Sequence, residues 1–354
     1  MPNKPDAKAT PRTGITQRTR SAKPFNAIDA GHVIARVAET LDWKIDDVPR
    51  FLKAAEHVEY GLSAEVELAA ILRWFGPCRM VHRLSEDDFV SDPKAQQIPD
   101  LLAAFESGDE RVVTLIEVKT TQDPRLRLKL DYRERLAAYA RIVGHPLLIG
   151  WRCRAIDMWL LFDPFATGVV VDDVVEYSLE EVIKADLMSL IAGDFYLVPV
   201  AGAGLRFEME RTGEKEPTGD GYAAVFTMRR AYFHDGAGNA ETKLPAAMQW
   251  TVLAAMESNS KVDDDRAVQS FTSTGSLTRA QNILRAALGF QVGQDERIHW
   301  KGVARDLDAV VRCEDILRES RSRFGTYVQY IFLQQPVPMP AFLPKAWRSK
   351  SAPD

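Results

Sequence analysis

Four residues in the first half of the chain have the types and spacing to do chemistry on a phosphodiester: Glu65, Asp100, Glu117 and Lys119. Asp100 follows Pro99, and Glu117 and Lys119 stand two apart in the run Leu115-Ile116-Glu117-Val118-Lys119. Hard divalent cations take oxygen ligands. Asp100, Glu117 and the main-chain carbonyl of Val118 would supply three. A cation held this way stabilises negative charge building on a phosphate and lowers the pKa of a bound water. Lys119 would orient or deprotonate that water and offset the phosphate charge. Glu65 would hold the cation through water, or help to bind a second one.

The elements that must position these groups are legible from periodicity. Successive side chains of a strand point to opposite faces. In a strand over residues 112–119, Val113, Leu115, Glu117 and Lys119 therefore share one face. Residues 62–75 read as an amphipathic helix whose apolar face holds Leu62, Val66, Leu68, Ala69, Leu72 and Phe75, with Gly76-Pro77 as its stop. Glu65 falls within that face, where an unpaired carboxylate is costly. Glu67 points well away from it and can be solvated. Further strands are expected at 78–84, 97–102, Pro146–Trp151 and Ile156–Phe162. A turn is expected near Asp123-Pro124 and a helix near 131–143. The order is an α/β pattern. A blander reading makes Glu117 and Lys119 a surface ion pair and Asp100 a turn residue, but it gives no account of Glu65.

Gly61-Leu-Ser-Ala-Glu65-Val-Glu67-Leu, then Gly76, Pro99-Asp100-Leu, Ile116-Glu117-Val118-Lys119 and the basic helical stretch behind them resemble the PD-(D/E)XK nuclease superfamily. Within it the resemblance is to the archaeal Holliday-junction-resolvase type, over roughly residues 57–163. It implies a restriction-endonuclease-like mixed sheet flanked by helices, cleavage of DNA phosphodiesters with Mg2+ or Mn2+, and Glu65, Asp100, Glu117 and Lys119 as the catalytic set. It also implies DNA as partner and a homodimer, since two-fold dimers suit the cutting of two strands. Resolvases of that type are small and single-domain, whereas this chain adds residues on both sides. Two further readings follow from the superfamily: a non-catalytic DNA-binding or assembly subunit, and one nuclease subunit of a transposition or phage-defence machine.

The chain has 354 residues, 46% of them hydrophobic, and a net charge of −5. That sum excludes a uniformly basic protein but not a local basic surface. Between Glu117 and Arg154 nine basic residues face four acidic ones, and a phosphate backbone needs such a local excess. Gln122, Arg125, Arg127 and Lys129 are the candidate DNA contacts. The three cysteines, Cys78, Cys153 and Cys313, are scattered, so neither a zinc site nor a disulfide framework is indicated. A cytoplasmic location is the simplest, and no apolar run is long enough to span a membrane.

The expected domains are a basic disordered tail (1–24), a helical extension (25–60), the nuclease domain (61–165), a separate α+β domain (166–340) and a flexible tail (341–354). In the α+β part, a helix is expected at 179–192. Two long strands at 195–211 and 222–233 should follow, then helices near 244–257, 277–288 and 306–322 and a strand at Tyr327–Leu333. Gly202-Ala203-Gly204 reads as a bend. Thr278, Arg279, Gln281, Asn282 and Arg285 could read a DNA groove. The alternative is an ordinary amphipathic helix with Leu277, Ile283, Leu284 and Leu288 packed inward. This domain is assigned target choice, dimer contacts or partner docking.

Overall fold

The computed structural model describes residues 64–84 and 95–348, save 215, 219–220, 263–264 and parts of 290–309. The expectations for the tail at 1–24 and the extension at 25–60 lie outside the described residues. Residues 64–74 form helix α1. Strands β1 (Cys78–Arg83), β2 (Leu101–Ser107), β3 (Glu110–Thr121), β4 (Arg125–Lys129), helix α2 (Leu130–Val143), β5 (Leu147–Cys153) and β6 (Met158–Phe162) follow. Five of the strands make one sheet in the order β1-β2-β3-β5-β6. Neighbours are antiparallel except β3 and β5, which run parallel. A parallel pair needs a crossover, and α2 supplies it. The result is the expected mixed sheet flanked by helices, with further sheets in the C-terminal region.

Helix α2 covers one face of the sheet. Leu136, Tyr139 and Ala140 pack there on Ile98, Leu115 and Leu147. The helix ends at Gly144, whose φ of 78° lets its N–H turn back to the Ala140 carbonyl, a conformation that costs glycine little. The opposite face carries Ile116, Val118, Leu148 and Leu161, packed under Leu68, Ile71 and Leu72 of α1. The helix comes close: a Cβ built on Gly150 would lie 2.4 Å from the Leu68 Cδ2 atom.

The apolar cluster beneath α1 continues without a break into Leu187, Ile191, Phe195, Met248, Ile283 and Leu284 of the C-terminal half. The outer rim of β6 is closed by that half as well. The Gln281 side chain accepts from the Trp159 N–H at 2.7 Å and donates to the Trp159 carbonyl at 3.1 Å. Asp186 accepts from the Leu161 N–H, and Leu187 N–H donates to the Leu161 carbonyl.

Several expectations need correction. Residues 125–129, between the expected turn and the expected helix, form β4, which pairs with β8 (Val174–Ser178) and, through it, β7 (Val169–Val171) in a small separate sheet. The helix expected at 179–192 is α3 (Leu179–Lys184) and a π-helical turn at Met188–Ala192. The strand expected at 195–211 is broken into β9 (Tyr196–Pro199) and β10 (Gly204–Arg211), with Gly202 at the bend at φ 83°. The helix expected to 257 ends at Leu253. Two strands not foreseen, Met256–Val262 and Arg266–Ser273, complete a five-stranded antiparallel sheet with β10, Phe226–His234 and Ala240–Glu241. Leu277 is exposed rather than packed inward. Beyond residue 341, Leu343 and Trp347 are buried, and Lys345–Arg348 form a short helix.

Candidate active site

β2 begins opposite Ile116, so β3 runs on past it. From Glu117 onward, no strand among the described residues pairs with that flank of β3. The Val118 N–H points into this gap, and Asp100, the residue just before β2, accepts it on Oδ2 at 2.7 Å. A gap between strands also lets side chains from the two faces of the sheet meet. Glu117 and Lys119 arrive from the α2 face, two residues apart on β3 as strand alternation requires. Glu65 arrives from α1, which packs on the other face.

The four groups act on one another. The Lys119 ammonium is paired with Glu117 Oε1, and the Tyr132 hydroxyl of α2 donates to the same oxygen. Glu117 Oε2 is buried, and among the described residues it has no donor. Burial pushes the Glu117 carboxyl up to about 7; Lys119 opposes this and the Asp100 charge adds to it. Burial also raises Asp100, against the pull of the Val118 N–H and Lys119. Glu65 is raised first by burial and then by the Asp100 charge, against Arg83, whose Nε donates to Glu65 Oε2 at 2.6 Å. The Lys119 charge reaches Glu65 as well.

Three carboxyl groups that each hold a proton too tightly, one with a bare oxygen, are the right chemistry for a hard cation, which would replace those protons. Asp100 and Glu117 are the adjacent pair that would hold it, with the main chain of Val118 beside them. The third carboxylate is not yet turned inward. Glu65 is engaged by Arg83 on β1, and among the described residues no three acidic, histidine or cysteine side chains are gathered around one point.

Of the expected DNA contacts, Gln122 is exposed in the turn after β3. Arg125, Arg127 and Lys129 face solvent along β4, while Leu126 and Leu128 point inward. Arg127 pairs with Glu176 of β8 at 2.9 Å. Tyr132, at helical spacing from Tyr139, sits beside Glu117 and Lys119, where its ring lies 5.1 Å from the Lys119 Nζ atom. Helical spacing placed Tyr132 and Tyr139 on one side of α2 but could not say that the N-terminal one reaches the end of β3.

Glu67 needs the opposite correction. It is not solvated: it accepts from the Trp159 indole at 2.9 Å and is paired with Arg152 at 3.1 Å and with Arg285. The groove-reading possibility at 278–285 also falls away. Arg279 and Gln281 are buried, and Arg285 is bound to Glu67 and Asp157. No helix among the described residues is long and apolar enough to cross a membrane.

Among solved structures, a Holliday junction resolvase from Archaeoglobus fulgidus aligns with 21% identity and a TM-score of 0.30, over 38% of this chain and 96% of that one. No curated protein matches the chain. Residues 56–191 match the family model described as archaeal Holliday junction resolvase.

Proposed function

We propose that the chain is a divalent-metal-dependent DNA endonuclease, similar to the archaeal Holliday junction resolvases, acting on branched DNA. One observation carries the reading: Asp100, Glu117 and Lys119 meet where β3 outruns β2, and Glu65, held by Arg83, stands near enough to feel the Asp100 and Lys119 charges. The family match over residues 56–191 supports it independently.

A bound Mg2+ or Mn2+ would supply charge to the scissile phosphate and an acidified water. Asp100 and Glu117 would hold that ion, with the Val118 N–H keeping Asp100 in place. Lys119 would hold the attacking water and face the phosphate. The Tyr132 hydroxyl orients the Glu117 carboxylate. Arg125, Lys129 and Gln122 lie on the solvent side of the strand that follows, where they meet the DNA backbone. Two copies cut the two strands. The C-terminal half sets target choice, dimerisation or partner docking.

The test is cleavage of four-way junctions, flaps, linear and supercoiled DNA by the purified chain, with Mg2+ or with EDTA. Branched DNA is expected to be cut only with Mg2+. Asp100→Ala and Lys119→Ala are expected to abolish cutting, and unchanged cleavage by either would overturn the assignment. Sedimentation is expected to show a dimer.

A further inference from the structure

We propose that the C-terminal half is a working part of the active site just described, and that Arg285 is the residue through which it positions Glu65; this rests on the nuclease reading of Glu65, Asp100, Glu117 and Lys119. Glu65 and Glu67 stand two apart on α1, about 200° around the helix axis. Glu65 faces Arg83 and the charges of Asp100 and Lys119. Glu67 faces the other way, into a cluster that spans the chain. Arg285, on the helix Ala280–Gly289, pairs with Glu67 and reaches Asp157 Oδ1 at 2.8 Å. Arg152 on β5 pairs with Glu67 at 3.1 Å and with the same Asp157 oxygen at 2.6 Å.

The side chains of Glu67, Arg152 and Arg285 are only 13%, 14% and 10% exposed. This is not a rim pair whose worth is screened away. At the far end of α1 the Trp74 indole donates to the Val311 carbonyl at 2.8 Å. The C-terminal half therefore grips α1 at two points. The apolar packing of Leu68, Ile71 and Leu72 on the sheet is non-directional. It tolerates a small rotation or slide of the helix, whereas a buried ion pair fixes register. Arg285 is 218 residues from Glu67 in sequence, and it has no part in the chemistry. It acts by setting where α1 holds Glu65.

The experiment uses the full chain with Arg285→Ala, Arg285→Lys, Glu65→Ala and the Glu65→Ala/Arg285→Ala double variant. Cleavage of a four-way junction is followed against Mg2+ concentration. Arg285→Ala is expected to raise the Mg2+ needed for half-maximal rate roughly tenfold, the scale of coupling within one network. Arg285→Lys recovers part of that. The double variant is no worse than Glu65→Ala, because both losses run through one carboxylate. Multiplied losses in the double variant would overturn the proposal.

A second readout does not depend on cutting: amide hydrogen exchange across residues 64–74 is expected to quicken in Arg285→Ala while β3 and α2 keep their protection. Unchanged exchange there overturns the positioning role. If the wild-type chain cuts no DNA with any divalent ion, the nuclease reading fails, and exchange alone decides whether Arg285 holds α1. If Arg285→Ala does not fold, Glu67→Gln, which keeps shape and an acceptor, takes its place in the same cycle.

Discussion

At the end of β3, Glu117 pairs with the Lys119 ammonium and Glu65 with the Arg83 guanidinium, and both charges reach Asp100; under the C-terminal half, Asp186 and Asp194 share the Arg279 guanidinium. The charge balance of the two clusters is alike. Each leaves one buried carboxylate oxygen bare among the described residues, Glu117 Oε2 in the first and Asp194 Oδ1 in the second; what differs is how near water lies. Asp186 accepts from the N–H groups of Leu161 and Met188 on one oxygen and from Arg279 on the other. Asp194 accepts from Arg279 and Gln281 on one oxygen, and among the described residues its Oδ1 atom and the Arg279 Nη1 atom lack a protein partner. Side chains there are 0–2% exposed. At the β3 site Lys119 is 28% and Arg83 is 56% exposed, and Glu117 Oε2 is bare. The closed cluster is spent on holding chain segments together. The open one has its bare oxygen in a cluster with the partly exposed Lys119 and the exposed Arg83 side chains, where a ligand can reach it.

Four measurements break or sharpen that contrast. The largest effect is expected for Arg279→Met, which strands two buried aspartates. Removing one partner of a buried pair costs about 3–5 kcal/mol, and urea unfolding would read it; a loss below about 1 kcal/mol would erase the distinction. Next, Asp100→Asn is expected to cut DNA at least about a hundredfold more slowly, roughly 2.7 kcal/mol in the barrier. Its thermal midpoint should not fall, since the cost of a buried charge leaves with the carboxylate.

Third comes Glu117→Gln, measured in EDTA. The folded carboxyl titrates at about 7, above its ordinary 4.5. The folded state therefore binds more protons than the unfolded one in between. Stability is expected to fall as pH rises from about 4.5 to about 7 and to level off above. The variant lacks that slope and gains up to about 3 kcal/mol at pH 8, at 1.36 kcal/mol per pH unit. A parallel pH dependence in both proteins would show that Glu117 is not the group responsible. The smallest effect is expected along β4. Arg125→Ala should weaken DNA binding a few-fold, evenly across sequences, and lower the salt slope by about one. Arg127→Ala should do less, because Glu176 already occupies that guanidinium.

Much of the site was legible because it depends on local rules. Strand alternation placed Glu117 beside Lys119, and helical spacing separated Glu65 from Glu67. What those rules do not contain is the partner across the fold. Glu67 was set off the expected apolar face, yet it stands one turn from Ile71 and two from Trp74, both buried, and polarity alone cannot distinguish solvent from Arg152 and Arg285. Tyr132 carries no mark separating it from Tyr139, and only the stagger of β2 and β3 brings it to Glu117. Strand β4 was different: Arg-Leu-Arg-Leu-Lys alternates cleanly over residues 125–129 and went unread beneath the charge count. The C-terminal strands at 256–262 and 266–273 are polar on both faces for much of their length, so period two is hidden in them. Arg279, Gln281 and Arg285 looked like surface chemistry because their partners lie on other elements, up to 218 residues away.

The closed rim of β6 has a practical consequence. With Gln281, Asp186 and Leu187 occupying the main-chain groups of Trp159 and Leu161, no further strand can be added at that border, and strand addition there is closed to a second copy. A fragment cut back to the nuclease sheet would lose that seal and uncover the apolar side of α1 together. It would leave a sticky border of the kind that drives aggregation, and it is expected to accumulate as inclusion bodies rather than as a minimal enzyme.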